Sequence, residues 1–191
     1  MKRNLIVLSI VVLVVIFNAA NVFGQSEKSS IIKLNPLSLG VATLNVQFEH
    51  AVSENNSWQL GVFYTGISVS DTKFSGFGIT PEYRFYLSSS KPAPKGFFAA
   101  PYLRYQNFSL STTNSANSVK SKATLSSFGG GVIFGYQTLI ADKISFEVFL
   151  GPSYSSSSIS VKDNANSDNF STGTFGSGIG VRTGITFGIA F

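Results

Sequence analysis

From Ile179 to Phe191 every odd position is apolar or threonine: Ile179, Val181, Thr183, Ile185, Phe187, Ile189 and Phe191. The even positions are Gly180, Arg182, Gly184, Thr186, Gly188 and Ala190. Period-two alternation of this kind predicts a strand with one oily face and one small or polar face. Seven earlier segments show strand character too, and with the last they span 31–40, 43–52, 58–67, 74–87, 97–110, 123–138, 143–155 and 174–191. Each is near or above the ~9–11 residues that a tilted strand needs to cross a bilayer. The pattern predicts an all-β fold: an eight-stranded antiparallel up-and-down transmembrane β-barrel.

The connectors alternate in length. Ser53 to Ser57, Ser88 to Gly96 and Leu139 to Asp142 follow strands two, four and six, and the prolines and lysines of the second are read as stiffening and solubilising it. Residues 111–122 and 156–173 follow strands five and seven and are almost wholly Ser, Thr, Asn, Lys and Asp. Outer-membrane barrels pair short periplasmic turns with longer extracellular loops, so the two polar stretches are expected outside the cell, where they offer a surface to an unknown partner. Pro81 and Pro101 lie inside predicted strands and are expected to mark bulges or register shifts, because proline cannot donate to a ladder. Pro36 makes strand one the least regular.

The first 24 residues change the picture of where such a barrel resides. Lys2 and Arg3 precede an apolar run, Leu5 to Phe17, and Val22-Phe23-Gly24 stands before Gln25. This reads as a secretory signal over 1–24, cleaved to leave a single barrel domain over 25–191. Its apolar run is short of the ~20 residues of a spanning helix. The expected location is the outer membrane of a Gram-negative bacterium, in contact with its lipid and lipopolysaccharide. Without Lys2 and Arg3, 12 basic residues face 9 acidic ones, too small and unclustered an excess to support nucleic-acid binding. No cysteine is present, so no disulfide framework contributes. The 18 glycines and 18 phenylalanines suit lipid outside and small side chains inside.

Alternation assigns the faces. Leu44, Val46 and Phe48, Trp58 to Tyr64 in steps of two, and Phe77 to Phe85 in steps of two point outward. So do Phe97, Leu103, Tyr105, Phe128, Phe134, Ile144, Phe146, Val148 and Leu150. Glu49, Glu82, Arg84, Arg104, Glu147 and Arg182 then fall on the inner face, with Lys33 beside them. The interior of an eight-stranded barrel is only just wide enough to be filled by side chains. Unpaired charge there is costly, whereas arginine–carboxylate pairs satisfy one another. Glu49, Glu82 and Glu147 are therefore expected to pair with Arg84, Arg104 and Arg182, aided by Asn45, Gln47, Gln59, Tyr102, Gln106 and Gln137. An ion path or an acid–base site is the competing reading. Acid–base work requires a carboxyl that keeps its proton, and as many arginines as acids favour the ionised form. A plug is the better reading of the cluster.

Lys33-Leu34-Asn35, the Asn45 to Glu49 spacing in strand two and Pro81-Glu82-Tyr83-Arg84 in strand four carry a resemblance. With them the chain resembles small eight-stranded outer-membrane barrels of the OmpA-transmembrane or OmpX kind, and more closely uncharacterised barrel families. The resemblance spans the mature chain and implies fold and location without an established activity. It also implies that Phe187, Ile189 and Phe191 form an assembly signal read by the barrel-assembly machinery, with Gly184 displaced from its usual spacing.

Other chemistry is sparse. His50 is the lone histidine, followed by Ser53 and Glu54, and is read as a rim residue rather than a member of a catalytic set. One histidine and no cysteine leave no metal site or cofactor in prospect. The Gly176-Ser177-Gly178-Ile179-Gly180 run precedes no helix, so it is not a nucleotide loop; it is read as room for Arg182 and its partners. Gly129-Gly130-Gly131 is expected at a sharply curved barrel corner. Lys73, Lys120, Lys122 and Lys162 lie on or near the outer loops, where they could meet lipopolysaccharide phosphates, though Asp71, Asp163 and Asp168 share those loops. The expected function is non-enzymatic: a charge-plugged barrel with polar surface loops serving envelope structure or surface contact. The alternatives are a narrow porin-like channel and, less favoured, a lipid-modifying enzyme.

Overall fold

The computed structural model describes residues 29–69, 72–88, 92–114, 119–162 and 177–191. The predicted signal segment, residues 70–71, 89–91, 115–118 and 163–176 lie outside them, and with them much of both predicted polar loops. Eight strands follow in chain order: β1 Ser30–Leu34, β2 Thr43–Ser53, β3 Asn56–Val69, β4 Thr72–Tyr86, β5 Gly96–Asn114, β6 Val119–Ile140, β7 Ile144–Lys162 and β8 Gly178–Ala190. Each pairs antiparallel with the next and β8 returns to β1, closing the barrel. Ser30 and Ala190 share one end, here the base, with the turns after β2, β4 and β6. The other end is the mouth.

Leu103, Leu150, Phe97 and Phe134 are all more than half exposed, and outward positions around the wall are apolar. On β7 they run Ile144, Phe146, Val148, Leu150, Pro152 and Tyr154, then turn to Ser156, Ser158 and Ser160. The oily stretch, 144–154, matches the ~9–11 residues of one tilted crossing. Near the base the exterior is aromatic: Phe97 meets Tyr136 with ring centroids 4.8 Å apart, and Tyr83 meets Phe85 at 5.1 Å.

Several expectations are corrected. Strand one does not reach Gly40. It stops at Leu34, and a short helix, α1 (Pro36–Leu39), follows. Asn35 Oδ1 accepts from the Leu37 and Ser38 amides at 3.0 and 3.3 Å, and Pro36 takes the first helical turn, where its missing N–H costs nothing. Residues 111–114 and 119–122 are not loop but strand, with Ser111 opposite Lys122 and Asn114 opposite Val119. Residues 156–162 likewise continue β7 against β6 as far as Lys162 opposite Lys122. Pro81 and Pro101 create no register shift. The β4–β5 ladder is interrupted around them and resumes in the same register, Ile79 with Tyr105 and Phe85 with Ala99. The single shift in β2–β3 falls between Ala51 and Ser53.

The short β1 leaves an uneven wall. It meets β8 over four pairs, Ile31 with Ala190 to Leu34 with Phe187, and the Ser30 and Phe191 backbones add reciprocal bonds of 3.2 and 2.9 Å. Mouthward of Phe187, β8 has a strand neighbour only in β7 among the described residues.

Candidate functional site

The inner face in the basal half is charged and fully enclosed. Lys33 on β1, Glu49 on β2, Glu82 and Arg84 on β4, Glu147 on β7 and Arg182 on β8 converge there, each less than a tenth exposed. Arg84 grips Glu147 bidentately, Nη1 to Oε2 at 2.7 Å and Nη2 to Oε1 at 3.1 Å, and reaches Glu82 Oε2 at 3.1 Å. Lys33 Nζ pairs with Glu49 and, at 2.5 Å, with Glu147. Arg182 Nη2 holds the other oxygen of Glu82 at 2.5 Å. Three carboxylates thus balance three cations in one chain of contacts. The parity of each strand explains the convergence, since an apolar outer face leaves the other face for charge.

Neutral groups fill the remaining valences. Ser57 Oγ and Tyr86 OH donate to Glu49 Oε1 at 2.5 and 2.6 Å. Gln137 Nε2 donates to Glu49 Oε2 at 3.0 Å, and its Oε1 accepts from Lys33 at 2.5 Å. Gln59 Oε1 also accepts from Lys33, at 2.9 Å. Apolar side chains cross the lumen beside this network: Tyr86, Phe98, Ala100, Tyr102, Ile133 and Phe149 form one buried cluster. The Arg84 guanidinium lies 4.4 Å from the Phe98 ring centroid, and Arg182 lies 4.4 Å from that of Tyr102 and 5.0 Å from that of Phe149. Such cation–π contacts keep the cations solvated without water.

The connector after β4 closes the base. Ala93 packs against the apolar cluster, its amide donating to Glu54 O at 2.6 Å, while Pro94 is fully buried and its carbonyl accepts from Gln137 Nε2 at 2.7 Å. The prolines expected to stiffen a solvated turn therefore include a floor beneath the network. Lys95 does face outward, pairing with Asp142 at 2.6 Å.

Arg104 requires a correction. It faces the lumen from β5 but makes no ion pair among the described residues; its Nε donates to Thr80 Oγ1 at 3.3 Å. The reason is height along the barrel. Arg104 stands mouthward of Tyr102, while the carboxylates lie basally, so Lys33 fills the role expected of Arg104. Residues missed from the sequence are the acceptor-satisfying Ser57 and Tyr86 and the floor residue Pro94. Inward parity marks the first two, and no local signal marks Pro94.

Of the Gly176–Gly180 run, Gly176 lies outside the described residues, and the close approaches on β8 fall instead at Gly184 and Gly188. A Cβ on Gly184 would lie 2.5 Å from Phe149 Cζ, and one on Gly188 would lie 2.8 Å from Lys33 Cγ. Gly180 would meet only Ser153 Oγ, at 3.1 Å, and Gly178 nothing. At Gly129 and Gly131 an added Cβ would strike the β7 backbone, so β6 and β7 approach closely there. His50 lies beside Ser30, whose Oγ is 2.9 Å from Nδ1, and near Trp58, rather than beside Ser53 or Glu54. Phe187 is half exposed, its ring 5.1 Å from Phe146, and Ile189 and Phe191 are partly buried at the basal end of β8. Lys73 lies in β4, opposite Ser68 and Ser111, and Lys122 and Lys162 are cross-strand partners at the top of β6–β7.

A model of the family described as protein of unknown function (DUF3575) matches residues 7–160. None of the curated proteins matches the chain. Among solved structures the chain is similar to a major outer membrane protein from Thermus thermophilus, at 14% identity over 85% of this chain and 99% of that one, with a TM-score of 0.46. It is also similar to CarO of Acinetobacter baumannii, at 10% identity over 87% of this chain and 97% of that one, TM-score 0.41.

Proposed function

We propose, from the premise that this chain belongs to the DUF3575 family, that it is a non-enzymatic integral barrel of the outer membrane with a lumen closed to ions. One observation carries this reading: the six-residue ionic network and the aromatic cluster cross the basal lumen with their charged side chains at most 8% exposed. An inside-out distribution, with apolar side chains exposed around the wall and charge enclosed, supports residence in lipid. In this reading residues 1–24 are the cleaved export signal, the base faces the periplasm, and Phe187, Ile189 and Phe191 present the assembly signal. The extended β5–β7 tops and residues 111–122 and 156–173 face outward, near lipopolysaccharide, where they contribute to envelope structure or meet a surface partner. Likeness to the OmpA-transmembrane and OmpX barrels belongs to the same reading.

Planar-bilayer recording of the refolded chain tests it. A silent bilayer containing heat-modifiable, folded protein is expected. Stable conductance steps would overturn the plug and favour a narrow channel, and a changed lipid A mass on expression would favour an enzyme.

A further inference from the structure

Mouthward of the plug the lumen is hollow. A chamber of about 130 Å³ is lined by Tyr102, Arg104, Gln106, Ser127, Ser153 and Arg182 among others. A second, of about 400 Å³, shares Arg104 and Gln106 with it and extends past Asn45 and Thr65. Among the described residues no aspartate or glutamate lines either chamber. Two guanidinium groups do face the smaller one: Arg104, which stands outside the ionic network, and Arg182, which belongs to it. Arg104 has no carboxylate partner among the described residues, and its guanidinium lies 5.9 Å from the Tyr102 ring centroid, on which Arg182 also rests. Arg182 is only 8% exposed, and its ion pair to Glu82 uses Nη2; its Nη1 is buried without a hydrogen-bond partner among the described residues. A buried donor left unmade is expensive, more so when charged. Two cations beside a single carboxylate also leave local positive charge in a confined, low-dielectric space, where field lines concentrate.

We propose that the chamber between Arg104 and Arg182 is a binding site for a small soluble oxyanion, a carboxylate or a phosphate, entering from the mouth. The guanidinium forks suit paired oxygens, and Gln106, Ser127 and Ser153 offer neutral donors on the same wall. Room is limited to a ligand of roughly benzene size, since a cavity of ~150 Å³ admits one such ring. The site shares Arg182 with the mouthward side of the plug, and its occupancy is read by binding rather than by conductance. It would make the barrel a binding cup rather than a passage.

Inorganic phosphate, with acetate as competitor, is the probe. The full chain folded in detergent micelles is titrated with phosphate at constant ionic strength, and the ³¹P linewidth and the urea midpoint are followed. Saturable broadening reversed by acetate is expected for the parent. Arg104→Gln should weaken the apparent phosphate affinity about tenfold, the value of one charge-assisted contact, while Lys122→Gln at the mouth should keep it. Phosphate stabilises folded proteins generically, so the urea readout is the difference between parent and Arg104→Gln, each against its own chloride value. The inference is overturned if the parent shows no saturable broadening, or if Arg104→Gln binds as the parent does. Should Arg104→Gln not fold, Arg104→Lys is expected to fold and to bind more weakly than the parent; equal binding would refute the fork.

Discussion

Glu147→Gln isolates the energetics of the plug. Glu147 is fully buried and holds Lys33 at 2.5 Å and Arg84 at 2.7 and 3.1 Å. Glutamine preserves the volume but removes the charge and turns an amide donor toward two cations, leaving Glu49 and Glu82 to balance three of them. Breaking one partner out of a buried pair costs about 3–5 kcal/mol. With a urea slope of about 2 kcal/mol/M for a domain of this size, the midpoint should fall by roughly 1.5–2.5 M. Fluorescence of Trp58, the only tryptophan, reports the transition in micelles. Lys95→Gln is the comparison. Its pair with Asp142 is equally short at 2.6 Å but exposed at the base, and such pairs contribute about 0–1 kcal/mol, so the shift should stay under roughly 0.5 M. Pairing Glu147→Gln with Lys33→Met completes a cycle in which the double variant should recover part of the loss. Equal midpoints for Glu147→Gln and Lys95→Gln, or strict additivity in the cycle, would refute the idea that charge balance rather than shape holds the plug together.

Three further outcomes are expected. Gly184→Val should destabilise by about 1–3 kcal/mol through overpacking against Phe149, and Phe149→Ala in the same chain should restore part of it; urea midpoints of the three variants decide. Gln137→Leu strands the Pro94 carbonyl and one bond to Glu49 and should cost about 1–3 kcal/mol, read as a lower midpoint; no shift would mean that the floor is not tied to the network. Phe191→Ser should lower the heat-modifiable fraction recovered from membranes while refolding in micelles stays normal, and equal recovery would dispose of the assembly signal.

The strands whose outer face is oily were legible because opposite faces demand alternation: β2, β3 and the apolar parts of β4 and β8 follow the period-two pattern closely. Where both faces are polar, the signal vanishes. Ser155 to Ser158 place the same side chain alternately in and out, so only backbone pairing to β6 reveals that β7 continues. At Asn35-Pro36 the capping chemistry was present in the sequence, but strand one was extended through it to Gly40, with Pro36 read only as an irregularity. Pro81 and Pro101 are tolerated because both face the same interrupted stretch of ladder, which no single segment discloses. The inward direction of the charges follows from parity. Which of them touch depends on height and strand tilt, and so Lys33 rather than Arg104 closes the ionic chain.

The shortness of β1 gives the cylinder a circumferential polarity. Its seam with β8 has four pairs, whereas β5 and β6 run together over nineteen residues. Along Gly178–Thr186 the β8 edge facing β1 has no strand partner among the described residues, although Val181 lies opposite Pro152, inside the oily band. Backbone groups without partners cost several kcal/mol each in hydrocarbon. In the proposed bilayer setting, thinning on that side would bring headgroup oxygens to whatever part of the edge α1 leaves uncovered. The surrounding lipid would then be an asymmetric annulus, thinner against β8 than against β5 and β6. A neighbouring membrane protein would find one preferred bearing from which to approach.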